Sequence, residues 1–199
     1  MKNSLTILDD FFPDFDAVRA FALSHDFTQE PEYDGHAYPG FAQVKDERFA
    51  GYMASLLAEA TGCNVGIKIA AFVAGTEAFE TQQWIHADNT CASHAAVVYL
   101  FDQPGFGTAF WQHIGTKSDS LQKHLSHFTD LPADSVAQVL QTQGRSEAMW
   151  TRSDYADSRK NRLIFYPSDR FHSRYPQAAF GDEPENCRLI LTAFFDILP

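Results

Sequence analysis

The stretch RLILTAFF, residues 188–195, reads as a β-strand, because branched and aromatic side chains dominate it and no residue in it breaks a ladder. Period-2 geometry puts Arg188, Ile190 and Thr192 on one face and Leu189, Leu191 and Ala193 on the other. A guanidinium heading a nearly all-apolar strand needs an anion, since an unpaired charge there carries a desolvation penalty of several kcal/mol. Its planar fork suits a carboxylate gripped by two N–H groups. That carboxylate is either an internal Asp or Glu or one end of a small diacid ligand.

Two upstream motifs supply a matching chemistry. WIHADNT (84–90) carries His86 and Asp88, and PSDRFHS (167–173) carries His172. Residues i and i+2 of an extended strand leave the same face, so His86 and Asp88 can grip one ion, whereas a helix at that spacing would point them apart. Two histidines and a carboxylate on one face of a divalent iron leave three coordination positions open, as in non-heme Fe(II) oxygenases. The His-x-Asp pair alone is a weak signal, because 8 His and 26 acidic residues in 199 supply about one such pair by chance. Its conjunction with His172 and Arg188 gives it weight. The competing reading is a hydrogen-bonded polar cluster without metal.

The intervening chain sorts into helices first and strands after. A short strand is predicted at Leu5–Leu8, then a helix from Asp14 or Asp16 to about Ser24, and a second helix capped by Asp46 and stopped at Thr61-Gly62. Strands are expected near Val65–Val73, Ala78–Ile85, His94–Phe101, Gly107–His113, Arg162–Tyr166 and Arg188–Ile197. Between Lys117 and Gln143 the spacing of Leu121 and Leu125, then Val136, Val139 and Leu140, predicts helix inserted between sheet strands. The pattern is α+β: a double-stranded β-helix, or jelly roll, with the N-terminal helices packed outside it and a helical insertion.

On these residues the chain resembles the Fe(II)- and 2-oxoglutarate-dependent oxygenase superfamily, in its prolyl-hydroxylase-like branch. YLFDQPGFGTAFWQH (99–113) is similar to the segment that follows the first two ligands there, and NRLIFYPSDRFHS (161–173) to the strand and turn that deliver the distal histidine. The opening LDDFFPDFDAVRAFALSHDF (8–27) and YPGF (38–41) resemble a group of bacterial members whose substrates are mostly unassigned. Arg188 follows His172 by 16 residues, more than in many relatives, so the loop 173–187 is enlarged. The resemblance implies His86, Asp88 and His172 as ligands of Fe(II), Arg188 as the partner of the far carboxylate of 2-oxoglutarate with Thr192 beside it, and Tyr99 as a further donor to that cosubstrate. It implies hydroxylation of a peptidyl or small-molecule substrate with O2, release of succinate and CO2, and a use for ascorbate. A metal- and 2-oxoglutarate-binding module without catalysis, acting as sensor or partner-binding domain, is the rival. A cupin-like hydrolase or isomerase is a third reading, and it gives Arg188 no diacid to hold.

Composition bounds the rest. Residues 1–199 are long enough for one domain with a substantial core, and no composition shift marks a second. A net charge of −11 argues against nucleic acid as a partner, because phosphate-backbone affinity rests on Lys and Arg. Seven of the fifteen basic residues do cluster between Arg145 and Arg174, either as a solvated face interleaved with acids or as an anionic-substrate rim near His172. Three widely spaced cysteines indicate neither a disulfide framework nor a zinc site. With no signal-peptide core and no membrane-length apolar run, the expectation is a soluble cytoplasmic protein of unspecified oligomeric state. His94 and His113 are expected as core histidines, His124 and His127 as a surface pair, Trp84 and Trp111 as core or pocket wall, and Asn89 as a strand end or substrate contact. Specificity is assigned to the 114–160 insertion and the loop after His172.

Overall fold

A computed structural model describes residues 5–27, 32–33, 36–37, 40–77, 85–88, 92–128 and 142–199. Strand β1 (Thr6–Leu8) leads into helix α1 (Phe15–Leu23), whose first turn is capped by Asp14, its carboxylate accepting from the Ala17 N–H at 3.1 Å. Two-residue strands β2 (Glu32–Tyr33) and β3 (His36–Ala37) pair with each other, and β4 (Phe41–Gln43) precedes helix α2 (Glu47–Thr61). Asp46 caps α2 by accepting from Arg48 N at 2.8 Å and Phe49 N at 3.3 Å. At the other end Gly62 takes the left-handed conformation, φ 68°, that a side chain would resist.

The strands that follow are β5 (Asn64–Gly75), β6 (His94–Tyr99), β7 (Gly107–His113), β8 (Trp150–Ala156), β9 (Leu163–Pro167), β10 (His172–Tyr175) and β11 (Arg188–Leu198), with a short helix α3 (Leu121–Leu125) between β7 and β8. Among the described residues they form a six-stranded antiparallel sheet in the order β1-β9-β6-β11-β5-β4 and a three-stranded sheet in the order β10-β7-β8.

Alternation along β11 sorts the interior into two cores. Leu189, Leu191, Ala193 and Phe195 join Phe72, Val98 and Phe165 in a cluster that also takes Val18 and Ala22 of α1 and Met53 and Leu57 of α2. Met53 and Leu57 are fully buried there, each contributing about 1.5–3 kcal/mol. On the opposite face, Ile190 clusters with Val97 and Tyr99 of β6, Ile164 and Tyr166 of β9, Phe110 of β7 and Ala156 of β8, so the two sheets enclose a second core. The result is a mostly antiparallel jelly-roll sandwich with few helices.

Several expectations shift. Trp150–Ala156, assigned from sequence to the 114–160 insertion, is strand β8, paired with β7. Its polar run Thr151–Asp154 faces solvent, which hid the strand pattern. Residues 78–84, most of the strand expected at Ala78–Ile85, and 129–141, with Val136, Val139 and Leu140, lie outside the described residues, as do Trp84, Asn89 and Cys91. His86 belongs to an isolated antiparallel bridge with His172 rather than to a strand.

Candidate metal centre and anion pocket

The residues around His86 and around His172 are joined through their backbones. The His86 N–H donates to the His172 carbonyl at 3.0 Å, the His172 N–H returns the bond at 2.8 Å, and the Asp88 N–H donates to Ser168 O at 2.8 Å. The side chains follow. Asp88 Oδ1 lies 3.3 Å from His86 Nε2, and its Oδ2 lies 3.0 Å from His172 Nε2. One ligand atom from each of the three residues falls within 4.8 Å of the others. Three donors this close, two imidazole nitrogens and a carboxylate, suit a single divalent cation.

Tautomer chemistry tests the fit. His172 Nδ1 lies 2.9 Å from the Arg170 carbonyl, which can only accept, so Nδ1 carries the proton. In neutral His172 the Nε2 lone pair therefore faces the Asp88 carboxylate, an arrangement that a cation between them, or a proton on the ring, makes favourable. An imidazole oriented by a carbonyl at its far nitrogen is the usual state of a metal-ligating histidine. Burial raises the Asp88 pKa, but His172 and His86 outweigh it and hold the carboxyl well below the usual carboxylate range. Tyr166 and Phe110 flank the His172 ring at centroid distances of 4.9 and 6.3 Å. Burial first, then the Asp88 charge, keeps the Tyr166 phenol neutral.

Deeper between the sheets stands Arg188, 7% exposed. Its Nη2 donates to Gly107 O at a long 3.4 Å, and its Nε is buried without a hydrogen-bond partner. Among the described residues no carboxylate lies within ion-pair reach of it. Burial lowers its pKa, Tyr99 opposes that shift, and Arg174 adds to it. The guanidinium stays charged all the same. Tyr99 donates its hydroxyl to Thr108 Oγ1 at 2.8 Å, with Ala156 O at 3.4 Å, and its ring centroid lies 6.0 Å from Arg188 Cζ. Burial pushes the phenol up to about 12. The Tyr99 hydroxyl thus meets Thr108, and its ring forms the wall beside Arg188. Thr192 shares the Arg188 face, but as residue i+4 it stands about 13 Å farther along the strand, level with Val97.

The remaining candidates separate cleanly. His94 stacks on Phe195 on the helix-covered face of the sheet, away from the triad. His113 is buried beneath Trp150 and, through Thr116, meets His124. His124 corrects the surface-pair expectation: it is 0% exposed, packed on His113 and Phe171, because the α3 turn folds back onto β7. Trp111 is buried and donates to Ser173 Oγ at 3.0 Å. The basic stretch divides. Arg159 and Arg162 pair with Asp9 at the surface, whereas Arg170, tied to Asp154 at 3.0 Å and stacked over Phe110, and Arg174 are buried. Sequence reasoning missed Arg170 and Arg174 as interior residues, although the period-2 line Arg170–His172–Arg174 would have found them. Two open polar clefts of about 560 and 380 Å³, lined by groups such as Asp10, Asp16, Asp102 and Lys160, contain none of the triad.

The model of DUF6445, a family of unknown function, matches residues 1–195. No curated protein matches the chain. Among solved structures, HygX from Streptomyces hygroscopicus with nickel and 2-oxoglutarate bound is similar at a TM-score of 0.58 and 10% identity, covering 97% of this chain and 82% of its own. HygX is also seen with hygromycin B bound. SnoN, a non-heme alpha ketoglutarate dependent epimerase from nogalamycin biosynthesis, gives 0.55 and 14%, covering 98% and 78%. SnoK, a carbocyclase of the same dependence and biosynthesis, gives 0.56 and 11%, covering 98% and 80%. At such identities the likeness is one of fold.

Proposed function

The chain belongs to the DUF6445 family of unknown function, and we propose that it is an Fe(II)- and 2-oxoglutarate-dependent oxidoreductase, with His86, Asp88 and His172 holding the ion and Arg188 holding the far carboxylate of the cosubstrate. One observation carries the reading: the Asp88 carboxylate stands 3.0 and 3.3 Å from two imidazole nitrogens, and in neutral His172 the nitrogen facing it, Nε2, is bare because Nδ1 donates to Arg170 O. A shared fold with enzymes that use 2-oxoglutarate supports it. When bound, the ion and cosubstrate supply O2-dependent decarboxylation to succinate and CO2, coupled to oxidation of the substrate.

The chain's own residues do the positioning. Arg170, anchored by Asp154, fixes the carbonyl that orients His172. Phe110 and Tyr166 shield that ring from water. Arg188 is already desolvated and aimed into the interior, so the anion it meets is gripped in a low-dielectric setting. Residues 1–199 act as one functional unit in this reading, in the cytoplasm, and ascorbate serves as an accessory reductant. The oxidation is hydroxylation, and the substrate is a small molecule, as in neighbours seen with hygromycin B or nogalamycin RO.

Anaerobic titration of the protein with Fe(II) and 2-oxoglutarate tests the reading. A metal-to-ligand charge-transfer absorption is expected, followed in air by succinate, at least from slow uncoupled turnover. Binding of both without any succinate would turn the assignment to the non-catalytic module, and turnover without 2-oxoglutarate to a different metalloenzyme.

A further inference from the structure

Resting on the oxygenase reading above, we propose that Arg174 is a second guanidinium of the cosubstrate pocket, so that the far carboxylate of the 2-oxo acid is held between Arg174 and Arg188. Arg174 is 5% exposed, on β10, two residues beyond His172. Strand alternation gives the two the same face, and Ser173 between them points the other way, where it accepts from Trp111 Nε1. Two neighbours place Arg174 in its layer. Across the ladder it pairs with Thr108, the residue that accepts the Tyr99 hydroxyl. Across the sandwich, a Cβ built on Gly75 would stand 3.7 Å from Arg174 Nη1 and 3.5 Å from Arg188 Cβ. Arg174, Thr108, Tyr99 and Arg188 thus form one layer, and His172, Phe110 and Tyr166 form the next.

The spacing of those layers gives the inference its chemistry. Two residues along a strand advance about 6.7 Å, a span that a five-carbon diacid covers when its keto acid end sits at the ion and its other carboxylate lies among the arginines. Two buried guanidiniums brought together repel each other, and a carboxylate between them reverses the sign of that interaction. Arg174 already donates Nη2 to Gln177 O at 3.2 Å, which ties the loop after β10 to the same side chain. A merely structural Arg174 would leave cosubstrate affinity untouched, and the test separates the two roles.

Charge-transfer titrations of the anaerobic Fe(II) protein are run with 2-oxoglutarate and with 2-oxobutyrate, which lacks the far carboxylate, and repeated as thermal shifts with Mn(II). Arg174→Gln is expected to weaken 2-oxoglutarate roughly 10- to 100-fold, the loss typical of a charge-assisted hydrogen bond, while leaving Mn(II) affinity and 2-oxobutyrate affinity unchanged. An unchanged 2-oxoglutarate affinity overturns the proposal, and so does an equal loss for both acids or a parallel loss of Mn(II). Arg174→Lys, which keeps the charge but not the fork, is expected to lose 2-oxoglutarate affinity by a smaller factor and decides the matter where the Gln variant does not fold. A wild-type protein that binds Mn(II) but neither acid overturns the oxygenase reading itself, and this inference with it.

Discussion

His86 and His172, 86 residues apart in sequence, exchange both main-chain hydrogen bonds, at 3.0 and 2.8 Å, and thereby set their imidazole rings 4.4 Å apart between centroids. The candidate centre is therefore fixed by backbone pairing, and Asp88 reaches both rings from a main chain held to Ser168. Geometry held in this way survives removal of one ligand, so substitutions there report on chemistry more than on folding.

Asp88→Ala is expected to abolish Mn(II) or Fe(II) binding, with a loss of at least about 100-fold in affinity, because it removes the only carboxylate among three ligands. Thermal shift with and without metal is the measurement. A metal-dependent stabilisation that persists in the variant would remove Asp88 from the ligand set.

Arg188→Met should separate stability from binding. The wild-type guanidinium is buried with an unpartnered Nε, and replacing a poorly compensated buried charge by an apolar side chain of similar volume is often neutral or stabilising, by about 1–4 kcal/mol. The ligand-free variant is expected to melt about 2–4 °C higher, the shift for about 1 kcal/mol in a chain of this size, while 2-oxoglutarate no longer adds stability. A lower melting temperature would mean that an internal anion serves Arg188.

Gly107→Ala tests the floor of the pocket. A Cβ there would overlap the Ala156 carbonyl of β8 and stand 3.0 Å from Asp157 Cα, and the Gly107 carbonyl accepts from Arg188. Since backbone cannot move aside as a side chain does, a loss of about 2–4 kcal/mol is expected. Urea unfolding of the purified variant measures it, and a change under about 0.5 kcal/mol would contradict the close packing of β7 on β8.

Acid should weaken the fold through His124. Burial, then His113 and His127, push its pKa down to about 4, and burial lowers that of His113 as well. Folded His124 is neutral where the unfolded chain, with a pKa near 6.5, already binds a proton. The unfolded state therefore holds more protons between about pH 6.5 and 4, and stability is lost as pH falls through that window, by roughly 2–3 kcal/mol. Urea midpoints at pH 7 and pH 5 read this directly, and His124→Phe is expected to flatten the difference. An equal slope in the variant would assign the acid sensitivity to other groups.

How much of this was legible in the sequence follows from what is local. The alternation of RLILTAFF and the caps at Asp14, Asp46 and Gly62 depend on neighbours within a few residues, and the last strand, the helix ends and the inward face of Arg188 stand where those patterns put them. Strand β8 was missed because its polar side chains face solvent on the outer sheet, which erases the hydrophobic signal while the backbone ladder remains. The buried His124 carries no mark of burial in its spacing, since the packing of α3 against β7 decides it.

The amino-acid sequence by itself determined the set of donor side chains, the charge at the head of the last strand and the period that turns each residue inward or outward, because each of these is a property of residue type and of backbone geometry over two to four positions. Only the tertiary structure decided that His86 and His172 share a bridge, that Arg174 joins the Arg188 layer and that the Tyr99 hydroxyl is directed at Thr108. Those facts depend on the register between strands far apart in the chain, and register is fixed by the burial of whole sheet faces rather than by any short run of residues.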